Sequence, residues 1–170
     1  MKSILSAGLV MVALAFTGCT GYRLGSTTDF AAGSKSVEVK FFKNTTSEPR
    51  LVSAVNHALR KRLQQDGTYR LETRGDADVV ITGQISQFLR TPISFVSADV
   101  ITARDYSVTL VADITATERA TGKVLMTRQV TGRTTLRIGT DLASAERQAV
   151  PLLAADLAQN ATASIVDGDW

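Results

Sequence analysis

The sequence predicts an α+β fold, a two-layer sandwich in which a mixed sheet of four to five strands carries two helices on one face. Three observations lead there. Apolar residues alternate with polar ones in several separate stretches, which is the period of a half-buried strand. Between and after those stretches lie two segments whose apolar residues recur every three or four positions. The length of 170 residues, 44% of them hydrophobic and 21% charged, suits one domain with a core of its own.

In chain order, a polar stretch over residues 25–36 leads into Val37-Glu38-Val39-Lys40-Phe41, where alternation puts Val37, Val39 and Phe41 on one face of a strand. Residues 43–47 read as loop. Pro49 suits the first turn of a helix, and Leu51, Val55, Ala58, Leu59 and Leu63 form its apolar stripe until Gly67 offers a C-terminal stop. Tyr69-Arg70-Leu71 adds a short strand, and residues 79–85 a second full one. The longest alternation sets Tyr106, Val108, Leu110, Ala112 and Ile114 against Ser107, Thr109, Asp113 and Thr115. A turn at residues 120–123 returns the chain as a hairpin through Val124–Val130. Residues 90–103, with Pro92, Phe95, Val96 and Ile101, read as an edge strand or an ordered loop. The last element is an alanine-rich helix from about Leu142 to Ile165, N-capped by Asp141 and either kinked or restarted at Pro151.

The N-terminus has a different character. Met1-Lys2-Ser3 is followed by a nearly unbroken apolar run from Ile4 to Phe16, the h-region of a signal peptide and too short for a permanent membrane span of roughly 20 residues. It ends at Phe16-Thr17-Gly18-Cys19, which resembles a bacterial lipobox with Phe where the pattern prefers Leu. That resemblance implies cleavage before Cys19, an S-diacylglycerol on its thiol and an N-acyl chain on its new amine. Each buried methylene adds about 0.8 kcal/mol, so two or three chains make a firm anchor where one is marginal. Thr20 after the cysteine, in place of an Asp, implies the outer membrane. The expected layout is a signal peptide over 1–18, a lipid-anchored linker over 19–36 and one domain over 37–168.

Catalytic chemistry has little to work with. The single Cys rules out an intramolecular disulfide, and with the single His it rules out the usual four-ligand zinc sites. His57 falls off the apolar stripe beside Arg60-Lys61-Arg62 and reads as a surface residue. No phosphate-binding glycine loop, nucleophile elbow or zinc-protease motif occurs. Asp66, Asp76 and Asp78 lack the spacing of a calcium loop and suit turns. The net charge of +3 and the sparse aromatic residues give nucleic-acid binding no support. The expectation is a protein that is not an enzyme and has no cofactor beyond its lipid.

Arg90, Arg104, Arg128, Arg133 and Arg137 all fall at strands or strand ends. A guanidinium fork matches phosphate, so a group of them at one sheet edge could hold an anionic glycolipid, unless they pair with Asp99, Asp105 and Glu118.

Taken in order, several stretches resemble the LPS-assembly lipoprotein family, LptE. They are Gly18-Cys19-Thr20-Gly21-Tyr22-Arg23-Leu24, Val37-Glu38-Val39-Lys40-Phe41-Phe42-Lys43-Asn44-Thr45-Thr46, Pro49-Arg50-Leu51 opening a helix, Ala77-Asp78-Val79-Val80-Ile81-Thr82-Gly83, Tyr106-Ser107-Val108-Thr109-Leu110 and Thr121-Gly122-Lys123-Val124-Leu125. The closing alanine-rich helix matches the family's second helix. The resemblance implies a sandwich lipid-anchored at the periplasmic face of the outer membrane. There it would plug and help assemble the β-barrel translocon LptD, and bind lipopolysaccharide on its way to the outer leaflet. Arg104, Arg133 and Arg137 are nominated as lipopolysaccharide contacts on local chemistry, as cations beside strand ends. The alternative is a periplasmic lipoprotein that activates a cell-wall synthase or pilots a secretion pore, because fold does not fix function.

Overall fold

The structure is a computed structural model that describes residues 31–97, 99–138 and 141–168. Six strands and two helices appear there: β1 (Ser36–Val39), β2 (Lys43–Asn44), α1 (Arg50–Asp66), β3 (Arg70–Leu71), β4 (Val79–Val96), β5 (Asp99–Glu118), β6 (Val124–Arg137) and α2 (Leu142–Val166). The sheet order is β3-β1-β4-β5-β6, with β2 also paired to β4. β1 is parallel to β3 and β4, β2 is parallel to β4, and β4, β5 and β6 form an antiparallel meander. The mixed sheet with a helical layer is the α+β sandwich the sequence predicts, with one two-residue strand more than expected.

The core follows from the two periodicities. Leu51, Val55, Leu59 and Leu63 of α1 meet Leu153, Leu157, Ala161 and Ile165 of α2 and the inward residues Val37, Val39, Ile81, Ile85, Val108, Leu110, Ala112 and Ile114 of the sheet. α1 ends at Gly67, whose left-handed φ of 77° lets its N–H reach back to the Leu63 carbonyl. Pro49 is the N-cap of α1. α2 is one continuous helix: Asp141 caps it by accepting from the Ser144 N–H, and Pro151 lies exposed on its outer side without ending it.

Four expectations need correction. β1 stops at Val39, so Phe41 does not share its inward face: it is 70% exposed, and Phe42 enters the core instead. The Phe42 ring occupies the space a side chain at Gly83 would need, since a Cβ there would fall 2.4 Å from Phe42 Cε2. The loop over 43–47 contains β2. β4 does not end at residue 85, and residues 90–103 belong to the arms of one long β4–β5 hairpin. A bulge between Ile85 and Gln87 shifts the alternation, so odd residues face the helices before it and even residues, beginning with Phe88, after it. Lastly, β6 continues to Arg137, seven residues past the expected end. Gly132 is the reason its pattern fades, because α2 packs directly on the glycine.

The two long edges of the sheet are protected in different ways. On β6, the outward Arg133 N–H donates to Asp156 (2.8 Å) and the outward Thr131 carbonyl accepts from Asn160 Nδ2 (2.8 Å), both side chains reaching round from α2. On β4, the register past the bulge turns Pro92 toward the unpaired edge, and Pro92 has no N–H to offer an incoming strand.

Candidate functional site

Eighteen residues of strand carry β4 roughly 55 Å, so the far end of the β4–β5 hairpin projects well past the base of the sheet. Most of the exposed large apolar side chains gather there: Leu89, Ile93, Phe95, Val96 and Ile101. Single exposed apolar residues are ordinary, but a group on one hairpin end signals a contact surface.

Beside this group, Asp105 draws three strands together. It is 8% exposed, and its carboxylate accepts from Arg137 Nε on β6 (2.6 Å), from Ser94 Oγ on β4 and from Arg104 Nε (3.3 Å). Arg137 above all, then Ser94 and Arg104, hold its carboxyl well below the usual carboxylate range, and the same pair raises the Arg137 guanidinium. Two arginines on one carboxylate leave a net positive charge at the base of the apolar tip.

The three nominated arginines therefore divide. Arg104 and Arg137 meet at Asp105, the partner that the sequence offered as the competing explanation for them. Arg133 lies four residues along β6 from Arg137, about 13 Å away, with its register partner at Thr109. All three are exposed. Of the other strand arginines, Arg90 pairs with Glu146 of α2 and lies over the Phe88 ring at 5.5 Å, tying the start of α2 to β4. Sequence reading offered Asp105 as a partner but missed the convergence of three strands on it, and it missed the apolar tip. Their members come from three strands that only the extended register aligns, and the irregular pairing of Ser94 to Val96 hides the alternation there.

A second polar cluster closes the opposite end of the sheet. Glu38, 8% exposed, accepts from Lys40 and Arg119, which hold its carboxyl below the ordinary value, Lys40 contributing most. Arg119 Nε also donates to the Ala77 carbonyl (2.8 Å), while Asp78 accepts from both the N–H and the hydroxyl of Ser36. These bonds tie β1 to β4 and to the end of β5, and they use Asp78 as a structural acceptor. His57 is exposed on α1, off the apolar stripe. Cys19 and the lipobox lie outside the described residues. No group of three or more metal-ligating side chains occurs among the described residues, and no helix there is long and apolar enough to cross a membrane.

No curated protein matches the chain. Solved structures share the fold at low identity. A putative lipoprotein from Caulobacter crescentus CB15 is 10% identical with a TM-score of 0.54, over 74% of this chain and 88% of that one. A hypothetical protein from Chlamydia trachomatis is 12% identical with a TM-score of 0.56, over 79% and 96%. A minor lipoprotein from Acinetobacter baumannii is 13% identical with a TM-score of 0.52, over 78% and 93%. At such identities the likeness is one of fold. The family model described as LptE, lipopolysaccharide-assembly, matches residues 34–166, from just before β1 to the last residue of α2. The chain belongs to the LptE lipopolysaccharide-assembly family.

Proposed function

We propose that this chain is an outer-membrane lipoprotein, anchored at the periplasmic face through lipid on Cys19, that joins and plugs the LptD β-barrel and binds lipopolysaccharide during its insertion into the outer leaflet. The observation that carries this reading is the family match across residues 34–166. The family's assembly role calls for binding, and no catalytic step is assigned to the chain.

The hairpin end supplies chemistry suited to the ligand. Lipid A presents phosphates and acyl chains together, and here exposed Ile93 and Phe95 flank Ser94, which binds the same Asp105 carboxylate as Arg104 and Arg137. Arg104 and Arg137 each engage Asp105 through Nε, and a guanidinium carries five N–H donors, so their terminal NH groups can serve an arriving phosphate without dismantling the strand junction. Arg133 adds a third cation along the same strand.

Two experiments test the reading. Replacing Arg104, Arg133 and Arg137 together by Ser should weaken binding of purified lipopolysaccharide at least tenfold, and unchanged binding removes these residues from the site. Crosslinked pull-down from outer membranes should recover a large β-barrel protein. Recovery of only a soluble periplasmic or inner-membrane partner refutes the barrel partnership and favours a cell-wall or secretion role.

A further inference from the structure

The outer surface of the helical layer holds a groove that the reading above leaves unused. α1 and α2 run side by side, and Ala58 and Ala155 keep the floor of the groove between them low. On its rim α1 places His57, Lys61 and Arg62, while Gln65 and Gln159 offer amide donors from either wall. No carboxylate lines it.

The acids that could have neutralised these cations are committed elsewhere. On α2, Glu146 is bound to Arg90 on the sheet side, Asp156 caps the edge of β6, and Asp167 sits past the helix end. α1 has one acid, Asp66, its last residue and one turn past Arg62; its Oδ1 accepts from the Thr68 N–H beyond the helix end, and no ion pair joins it to Arg62. Lys40, Arg50, Arg90, Arg104, Arg119 and Arg137 each have a carboxylate partner, yet among the described residues no ion pair reaches His57, Lys61 or Arg62. A pocket walled by cations and amide donors, with small apolar residues beneath, is complementary to a compact multivalent anion.

We propose that the α1–α2 groove is an anion site for a phosphate-bearing group, held by Lys61 and Arg62 with His57 at the rim and the Gln65 and Gln159 amides as further donors. It lies on the helical layer, whereas the arginines nominated for lipopolysaccharide lie on the sheet. The phosphate could belong to a membrane headgroup or to a small soluble phosphate compound, and the test separates the two.

His57 is the sole histidine of the chain, so its ring gives one unambiguous signal in a magnetic resonance spectrum of the full chain carrying labelled histidine. In non-ionic detergent at constant pH and ionic strength, inorganic pyrophosphate should shift that signal along a saturable curve. The double variant Lys61→Gln/Arg62→Gln should weaken the binding about tenfold or more, whereas Arg128→Gln, elsewhere on the surface, should leave it unchanged. In a second arm, the chain is placed in nanodiscs of phosphatidylcholine with or without phosphatidylglycerol. A shift only with phosphatidylglycerol, lost in the double variant, assigns the phosphate to a lipid headgroup. A saturable pyrophosphate shift with no response to phosphatidylglycerol assigns it to a soluble compound. The proposal is overturned if neither probe gives a saturable shift, or if the shift survives the double variant. Because lipopolysaccharide binding by the Arg104, Arg133 and Arg137 variant is scored separately, either site can fail without the other.

Discussion

Replacing Gly132 by Ala should cost far more than one methyl group suggests. A Cβ at this position would stand 2.7 Å from the Leu153 carbonyl oxygen, the Leu157 amide nitrogen and the Leu157 Cβ. Two of these atoms belong to the backbone of α2, so no rotamer change relieves the clash and the helix has to retreat by roughly 0.7 Å to restore a 3.4 Å contact. Leu153 and Leu157 are fully buried, and a gap of 0.5–1 Å forfeits about a quarter to a half of each contact they make with the sheet. Overpacking of this kind costs about 1–3 kcal/mol. Removing a strand glycine returns about 0.5–1 kcal/mol. The retreat also strains the bonds that Asp156 accepts from the Arg133 N–H and that Asn160 donates to the Thr131 carbonyl, which flank Gly132, and weakening the two costs about 1 kcal/mol. The expected outcome is a net loss of about 2 kcal/mol in urea denaturation, a fall in Tm of about 4–8 °C, and faster hydrogen exchange at the Arg133 amide. Gly122→Ala is the control: its φ of 72° makes it costly by about 1 kcal/mol, but nothing crowds it and the Arg133 amide should stay protected. A Gly132→Ala protein within about 0.5 kcal/mol of the parent, or with its Arg133 amide unchanged, refutes the close-approach argument.

Three further outcomes are expected. Asp105 has a depressed carboxyl, so its contribution is fully present above the usual carboxylate range and is lost only as pH falls below that range; the Arg137 Nε–H resonance should persist through ordinary aspartate titration, and its disappearance near pH 4 counts against the cluster. Burial pushes the Tyr69 phenol up to about 12, so its stabilising effect holds below the ordinary tyrosine value and fades as pH rises toward 12; absorbance titration should find a tyrosine ionising late, and Tyr69→Phe should remove that step. Glu38→Ala takes the acceptor from Arg119 and Lys40 and should cost about 1–2 kcal/mol by chemical denaturation, with Glu38→Gln recovering part of the loss.

Fold class, both helices and the inward residues of the central strands were legible because each has one buried face, which imposes a period of two or 3.6 on the sequence. Legibility failed where that condition lapsed. Past the Ile85–Gln87 bulge no β4 residue is fully buried, and beyond Pro92 its pairing with β5 is irregular, so the pattern there resembles a loop. Beyond Val130, β6 replaces a large inward residue with Gly132. The step from Phe41 to Phe42 depended on space left at Gly83, a contact 41 residues away. For the candidate site, the arginines were visible as residue types, but their convergence on Asp105 depended on a β5–β6 register that alternation alone does not set. The groove cations lie within one helical stretch, and what the sequence withheld was that α2 turns its acids away from them.

β1 lies between β3 and β4 and is parallel to both, and its N-terminal end, at Ser36, is where the chain enters the sheet. A pull applied at Ser36 along this strand would run across the direction of its hydrogen bonds, so those bonds would be loaded together in shear and would not peel away one at a time. The Ser36–Asp78 and Glu38–Arg119 contacts lie in the same line of force. If the domain is tethered on its N-terminal side, as proposed, load would enter through β1, at the end of the sheet opposite the β4–β5 hairpin, and would leave the hairpin free of tension.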